Sequence, residues 1–182
     1  MKKLSVVRVI ATGIATGAIA VFNTSQALTQ TSPSQVLFFC RQGYDPGVKQ
    51  SVPTTFAQRP QQRKTAIIRW KSGQLGRWEP MKRCEAVSPR FQSAYDKGAL
   101  AYLTYGWINR QRVICSTRDY GGPCEELLFT LKTEDNPVQV LNQLNSILGG
   151  NANSVLNQNT GESQVYIRFD VDEFLKQARA QE

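Results

Sequence analysis

The four cysteines, Cys40, Cys84, Cys115 and Cys124, are the residues of this 182-residue chain whose type could do chemistry most directly. Closely spaced cysteines hold zinc or exchange disulfides, and C-x-x-C is the usual pattern for either role. No two of the four are close enough to form it. An even number of widely spaced cysteines is instead typical of structural disulfides in an exported protein. The sequence therefore predicts two disulfides, with four free buried thiols as the alternative.

The pairing of these cysteines is less strongly determined, because four cysteines allow three pairings. We favour Cys40–Cys84 together with Cys115–Cys124, since the second pair closes a short loop through Gly121-Gly122-Pro123. The spacing leaves the other two pairings open. Each bridge is expected to stabilise the fold by about 2–4 kcal/mol, mainly by restricting the unfolded chain.

The N-terminus has the pattern of a secretory signal peptide over residues 1–27. Lys2, Lys3 and Arg8 precede an uncharged, mostly apolar stretch at 9–22, and small residues follow at the positions expected before a cleavage site after Ala27. An uncleaved N-terminal anchor is the alternative, although the stretch is shorter than the roughly 20 apolar residues of a spanning helix. We therefore expect an exported protein of the periplasm or cell envelope, either soluble or peripheral on a membrane.

Positive charge is concentrated in one segment of the chain, which has a formal net charge of +8. Residues 59–90 contain nine bases and two acids, whereas residues 119–182 contain ten acids and four bases. Bases with interleaved aromatic rings suit an anionic surface, because each base near anionic lipid adds about 1 kcal/mol. The residues predicted to bind such a surface are Arg63, Lys64, Arg69, Trp70, Trp78, Lys82 and Arg83.

This basic segment has more than one interpretation. The expected partner is a membrane surface or an anionic envelope polymer. Single-stranded nucleic acid would suit the same residue types, but export argues against it. In the structural alternative, Trp70 and Trp78 are core or edge residues and the bases form a solvated face. In another, the basic and acidic halves attract each other within one fold.

No catalytic motif accompanies these features. The chain has no His, which removes the commonest general base and zinc ligand, and it has no phosphate loop or nucleophile elbow. The carboxylate pairs Asp170/Asp172 and Glu125/Glu126 are interpreted as capping or solvated groups. We therefore predict no catalytic residue, no metal and no cofactor. The alternative is a secreted enzyme inhibitor or a hydrolase whose site is assembled from distant residues, with loop 119–124 as a recognition loop.

The elements that must position these residues follow from hydrophobic periodicity and from Pro, Gly and Asn. Strands are predicted at 35–40, 65–70, 100–108, 111–115, 127–131 and 164–169, with a two-residue hairpin turn at Asn109-Arg110. Loops are predicted at 43–63, 72–78 and 151–163. Helices are predicted from Pro80 to Gly98, from Asn136-Pro137 to Gly149-Gly150, and after Asp170, with either a kink or a second start at Ser88-Pro89.

Strands and helices mix without strict alternation, which predicts an α+β fold. We expect a single domain over residues 36–182, after a flexible lead-in at 28–35. Its architecture should be a mainly antiparallel sheet covered on one side by two or three helices and stapled by disulfides.

Several short segments are distinctive through their order and spacing: 36–40 (VLFFC), 53–55 (PTT), 68–70 (IRW), 83–87 (RCEAV), 88–92 (SPRFQ), 102–104 (YLT), 113–115 (VIC) and 121–131 (GGPCEELLFTL). Taken together, they resemble the circadian oscillating polypeptide family of cyanobacteria over roughly residues 36–148. Two local departures are Asn109-Arg110, where Asn-Gly is common, and Pro89 within a helix. The resemblance implies a small exported or membrane-associated protein, after a founding member whose abundance cycles with the circadian clock, and it supplies no catalytic residue.

Overall fold

Residues 35–71, 79–149 and 164–180 are described by the computed structural model. The predicted signal peptide and nearly all of the lead-in lie outside the described residues, as do the predicted loops at 72–78 and 151–163. The elements, in chain order, are β1 (Leu37–Asp45), β2 (Gln50–Gln58), β3 (Thr65–Arg69), α1 (Pro80–Asp96), β4 (Tyr102–Ile108), β5 (Gln111–Thr117), β6 (Glu126–Thr130), α2 (Pro137–Ile147), β7 (Ile167–Arg168) and α3 (Val171–Ala180).

The strands form two antiparallel sheets, with the orders β1-β2-β3 and β6-β5-β4-β7. This confirms the α+β class, with the strands divided between two sheets. Helix α1 packs against β1, β2 and β6, while α2 packs against β4, β5 and β7. Because α1 contacts strands of both sheets, their apolar side chains form one buried cluster that includes Phe38, Phe91, Leu103 and Ile114.

The loop predicted at 43–63 is wrong over most of its length, because β1 extends to Asp45 and residues 50–58 form β2. β2 is the central strand of its sheet although it contains Pro53. The Pro53 carbonyl accepts a hydrogen bond from the Trp70 backbone N–H at 2.8 Å. A strand residue directs its N–H and C=O to the same neighbour, so the missing donor of Pro53 faces the end of β3, where the ladder stops. Proline is tolerated there because no partner strand requires its N–H.

Helix α1 begins at Pro80 as predicted and runs as one helix through Pro89, so a second start at Ser88 is wrong. Proline removes the donor that the carbonyl four residues earlier would use. That residue, Glu85, is exposed like Pro89, and water can replace the lost bond. The helix ends at Gly98, whose φ is +67°. There, Ala99 N–H donates to the Ala94 carbonyl and Gly98 N–H to the Tyr95 carbonyl, which is the Schellman arrangement.

The other local signals are mostly confirmed. Asn109 and Arg110 both have positive φ and connect β4 to β5, as a two-residue hairpin turn requires. Asn136 caps α2 by accepting from the N–H groups of Val138 and Gln139. The strand predicted at 164–169 pairs only at Ile167–Arg168. Before it, the Gln164 side chain donates to the Tyr105 carbonyl at 2.6 Å, so a side-chain bond takes the place of ladder pairing.

Both disulfides are present with the favoured pairing. Cys40–Cys84 joins β1 to α1, and Cys115–Cys124 joins β5 to the loop before β6. The second bridge packs on Gly106 of β4, where an added Cβ would lie 3.6 Å from the Cys124 sulfur. The first bridge therefore fixes the first sheet to α1, and the second fixes the other sheet to the loop before β6.

Candidate functional site

The bases of segment 59–90 are divided between different parts of the fold. Lys64 directly precedes β3, and Arg69 is the last residue of this strand. Arg63 is exposed just before Lys64. Lys82 and Arg83 lie in the first turn of α1. This helix packs on the side of the first sheet that carries Phe38 and Cys40, as the Phe38–Phe91 ring contact and the Cys40–Cys84 bridge show.

The opposite side of the first sheet carries a mixture of bases and aromatic rings. Cross-strand partners share a face, and Arg41 pairs with Thr54, which pairs in turn with Arg69. The two arginines are therefore on one face and about 10 Å apart, the width of two strand spacings. Both are exposed. They form the edges of a row that crosses the whole sheet.

The next row along the same face supplies the rings. Phe39 pairs with Phe56, and their ring centroids are 5.8 Å apart. The Arg41 guanidinium lies 5.8 Å from the Phe39 centroid, and the Lys64 ammonium lies 4.6 Å from that of Phe56. Both cations are within cation–π range. We name these five residues, Phe39, Arg41, Phe56, Lys64 and Arg69, the basic–aromatic face; within it Phe56 is only 5% exposed and supports Lys64 from beneath.

Arg41 and the two phenylalanines were missed by the sequence-based prediction, which considered charge density along the chain. Arg41 lies outside segment 59–90 and reaches the face only through the pairing of β1 with β2. The alternation of residues in a strand could have placed Phe39 and Arg41 on one side. It could not have shown which strand lies beside them.

Trp70 is a core residue and is only 4% exposed. Its Nε1–H donates to the Thr55 hydroxyl at 3.0 Å, and its ring meets Phe129 edge to face with centroids 6.0 Å apart. The structural interpretation of this tryptophan therefore agrees with its burial, and its ring is not available to a surface ligand. Trp78, the other predicted ring, lies outside the described residues.

Arg83 stacks on the buried indole, with its guanidinium carbon 4.7 Å from the ring centroid of Trp70. Burial lowers the pKa of Arg83, and the charge of Asp135 acts in the opposite direction. An arginine stays charged in either case. Its position on Trp70 gives Arg83 a packing role, whereas its neighbour Lys82 is exposed.

Asp45 neutralises part of the positive charge at the far end of β1. Its carboxylate lies 2.7 Å from the Lys71 ammonium and accepts from the Gly47 N–H at 2.8 Å. The hydrogen bond from Lys71, followed by that from Gly47 and the nearby charge of Arg69, lowers the pKa of Asp45, while burial opposes the shift. Lys71 is thereby engaged, whereas Arg41 and Lys64 point their charge at ring faces.

The lowered pKa of Asp45 predicts a specific pH dependence. Its stabilisation is fully present above the unfolded-state pKa of about 4 and is lost as the pH falls through the lower folded-state value. We expect Asp45→Asn to flatten the decline in the free energy of unfolding below pH 4, measured by urea unfolding at successive pH values. Lys71→Met should flatten the same limb, because it removes the main cause. A Lys71→Met curve as steep as that of the unmodified protein would contradict this assignment.

The carboxylates considered for catalysis are engaged in structural contacts. Asp170 accepts from the Glu173 N–H at 3.0 Å and so caps α3. Asp172 pairs with Arg59, and Glu126 with Lys97. These contacts agree with the interpretation of these acids as capping and surface groups.

Glu125 is held in place by Arg118 and by the Thr117 hydroxyl, which donates to its carboxylate at 3.0 Å. It accepts from both the backbone N–H and the Nε–H of Arg118, and these bonds, the backbone one first, lower the pKa of Glu125. Within the described ranges, no three His, Cys, Asp or Glu residues are grouped as a metal site would require. None of the helices in that part of the chain is long and apolar enough to cross a membrane.

Comparison with known proteins adds one finding. The family model described as Circadian oscillating protein COP23 matches residues 37–176. The match covers most of the chain and includes both disulfides, the basic–aromatic face and the start of α3. No curated protein and no solved structure matches the chain.

Proposed function

This chain belongs to the circadian oscillating protein COP23 family, and from that premise we propose that it is a non-catalytic, exported binding protein of the cell envelope. It docks peripherally on an anionic membrane surface. The basic–aromatic face makes the contact. The family is named for an abundance that oscillates, and a change in abundance would change how much of the membrane surface this protein covers.

The observation that carries the proposal is the row of Arg41, Thr54 and Arg69 across the first sheet, with Lys64 beside it. Three exposed cations on one face are expected to contribute about 1 kcal/mol each near anionic lipid. Phe39 is half-buried and Leu37 is 45% exposed on the same side of β1. These apolar groups can enter the headgroup region, where aromatic residues are favoured.

Two features support a location outside the cytoplasm. The first 27 residues have the charge and hydropathy pattern of a signal peptide. The two disulfides are compatible with an oxidising compartment. Neither feature depends on the basic–aromatic face, so export and surface binding can be tested separately.

Vesicle binding tests the proposed surface. We expect the protein to sediment with vesicles of mixed phosphatidylglycerol and phosphatidylcholine, and to be released by salt because the Debye length falls from about 10 Å at 0.1 M to about 3 Å at 1 M. Arg41→Glu/Arg69→Glu should abolish sedimentation, since it reverses both edges of the row. The matched control is Lys82→Glu/Lys176→Glu, which makes the same change in net charge at two exposed residues on α1 and α3.

Two outcomes would contradict the proposal. Equal loss in the two double variants would show that net charge alone governs binding. Sedimentation with pure phosphatidylcholine vesicles that persists in high salt would show an apolar attachment. If the protein does not sediment with vesicles but binds an anionic envelope polysaccharide through the same two arginines, the proposed membrane partner is wrong and the proposed binding face is correct.

A further inference from the structure

A cavity of about 580 Å³ opens on another part of the molecule, where α1 ends and α3 begins. It is lined by the connection from α1 to β4, by Arg118 after β5, and by the segment from Arg168 to Asp172. None of these residues belongs to the basic–aromatic face. The volume is within the range of about 300–1,000 Å³ that is typical of small-ligand sites.

The charged groups of this cavity are balanced. Arg118 and Arg168 supply donors, and Asp170 and Asp172 supply acceptors. Each has an ionic partner: Arg118 pairs with Glu125 at 2.9 Å, Arg168 with Asp170 at 3.6 Å, and Asp172 with Arg59. All four side chains lining the cavity remain 46–76% exposed. The walls therefore offer both donors and acceptors without a net charge.

Three tyrosines, Tyr102, Tyr120 and Tyr166, form a cluster beside the cavity, which we name the tyrosine pad. Tyr102 lines the cavity, and its ring centroid lies 5.8 Å from that of Tyr120. The centroids of Tyr120 and Tyr166 are 5.3 Å apart. Tyr120 is 68% exposed although it contacts two other rings, so one side of its ring stays open to a ligand. Phe169 also borders the cavity, but it is only 3% exposed and belongs to the core.

The loop that carries Tyr120 is held rigidly. Its end is fixed by Cys115–Cys124, and the Tyr166 hydroxyl donates to the Gly122 carbonyl at 2.9 Å. Gly122 packs so closely that an added Cβ would lie 2.5 Å from the Thr117 hydroxyl oxygen, while Gly121 has a φ of +81°. A pre-organised ring loses little freedom on binding, which favours affinity.

From this arrangement we propose that the cavity and the tyrosine pad bind a neutral saccharide chain. Sugar hydroxyls both donate and accept, which matches walls with paired arginines and aspartates. The apolar C–H face of a sugar ring packs on an aromatic ring. Because the paired charges cancel, the walls favour neither an anionic nor a cationic ligand over a neutral one.

A glycan array with neutral and acidic chains, followed by titration calorimetry with the best neutral oligosaccharide, tests the proposal on the folded full chain. We expect binding to neutral chains. Tyr120→Ala should weaken it at least about tenfold, or 1.4 kcal/mol, and Arg168→Ala by a comparable factor. Tyr44→Ala is the matched control, because this tyrosine is 63% exposed on β1, and it should leave the affinity unchanged.

The result that overturns the proposal is an array with no neutral glycan bound, or with acidic glycans alone bound. Neutral-glycan affinity that survives both Tyr120→Ala and Arg168→Ala would also overturn it, because binding would then occur elsewhere. Arg41→Glu/Arg69→Glu should keep full glycan affinity. The saccharide site and the membrane face can therefore fail independently.

Discussion

Replacing Trp70 with alanine is expected to lower the free energy of unfolding by about 3–5 kcal/mol, the cost of removing a large buried aromatic side chain. The indole contacts three elements that the chain brings together: it donates to Thr55 of β2, stacks under Arg83 of α1 and meets Phe129 of β6. Its loss would open a cavity where the two sheets and α1 meet. Equilibrium denaturant unfolding measures the change.

The polar end of the indole contributes separately. The Thr55 hydroxyl lies 3.0 Å from Ser88 Oγ, which lies 2.9 Å from the Cys84 carbonyl. Each hydroxyl has one proton, so a chain in which Trp70 donates to Thr55, Thr55 to Ser88 and Ser88 to Cys84 satisfies every donor. Trp70→Phe keeps most of the ring and breaks only the first bond. We expect it to cost about 1–3 kcal/mol, the range for a buried polar group left without its partner.

The Trp70 variants also separate an effect on core packing from an effect on vesicle binding. Trp70→Phe should bind anionic vesicles as well as the unmodified protein, because its ring is not part of the basic–aromatic face. Weakened vesicle binding with unchanged stability would contradict the assignment of Trp70 to the core. A loss of stability in Trp70→Ala below about 1 kcal/mol would contradict it as well, being under the range for such truncations.

Removing Cys40–Cys84 by the double substitution Cys40→Ala/Cys84→Ala is expected to cost about 4 kcal/mol, from the chain entropy of a loop with the observed separation of 44 residues. The bridge fixes edge strand β1 to α1, and without this cross-link the unfolded chain has much more conformational freedom. Denaturant unfolding under non-reducing conditions measures the effect. If the variant does not fold at room temperature, thermal melts of Cys115→Ala/Cys124→Ala with and without a reductant isolate the same bridge, because Cys40–Cys84 is then the remaining disulfide.

The second bridge is the internal control. Cys115–Cys124 spans only 9 residues, for which the same relation gives about 2.5 kcal/mol. Cys115→Ala/Cys124→Ala should therefore destabilise less than removal of the first bridge. It should also weaken glycan binding, since it releases the loop that carries Tyr120. An equal or larger loss of stability from the short bridge would show that native-state packing, rather than loop length, determines the contribution.

The three helices and the β4–β5 turn could be predicted because their signals are local. Pro80, Asn136 and Asp170 stand at helix starts. The side chains of Asn136 and Asp170 accept from N–H groups of the first turn, whereas Pro80 has no N–H to leave unpaired there. Gly98 supplies the positive φ with which α1 ends. Such preferences act within a few residues, so a single sequence contains all the information they need.

Strand β2 could not be predicted in this way. A proline within a strand normally argues against a central position, and only the end of β3 at Arg69 makes Pro53 acceptable. The same limit applies to the division into two sheets. Sheet membership depends on pairing between distant segments, which no local pattern records.

The sequence alone determined the class of the fold, the residues available for disulfides and the concentration of bases before α1. Tertiary structure decided which bases act together. It placed Arg41 beside Arg69 and put Lys82 and Arg83 on a helix behind the sheet, although the latter two are closer to Arg69 in the chain. The reason is that strand pairing and alternation set the direction of a side chain, and both depend on partners far away in sequence.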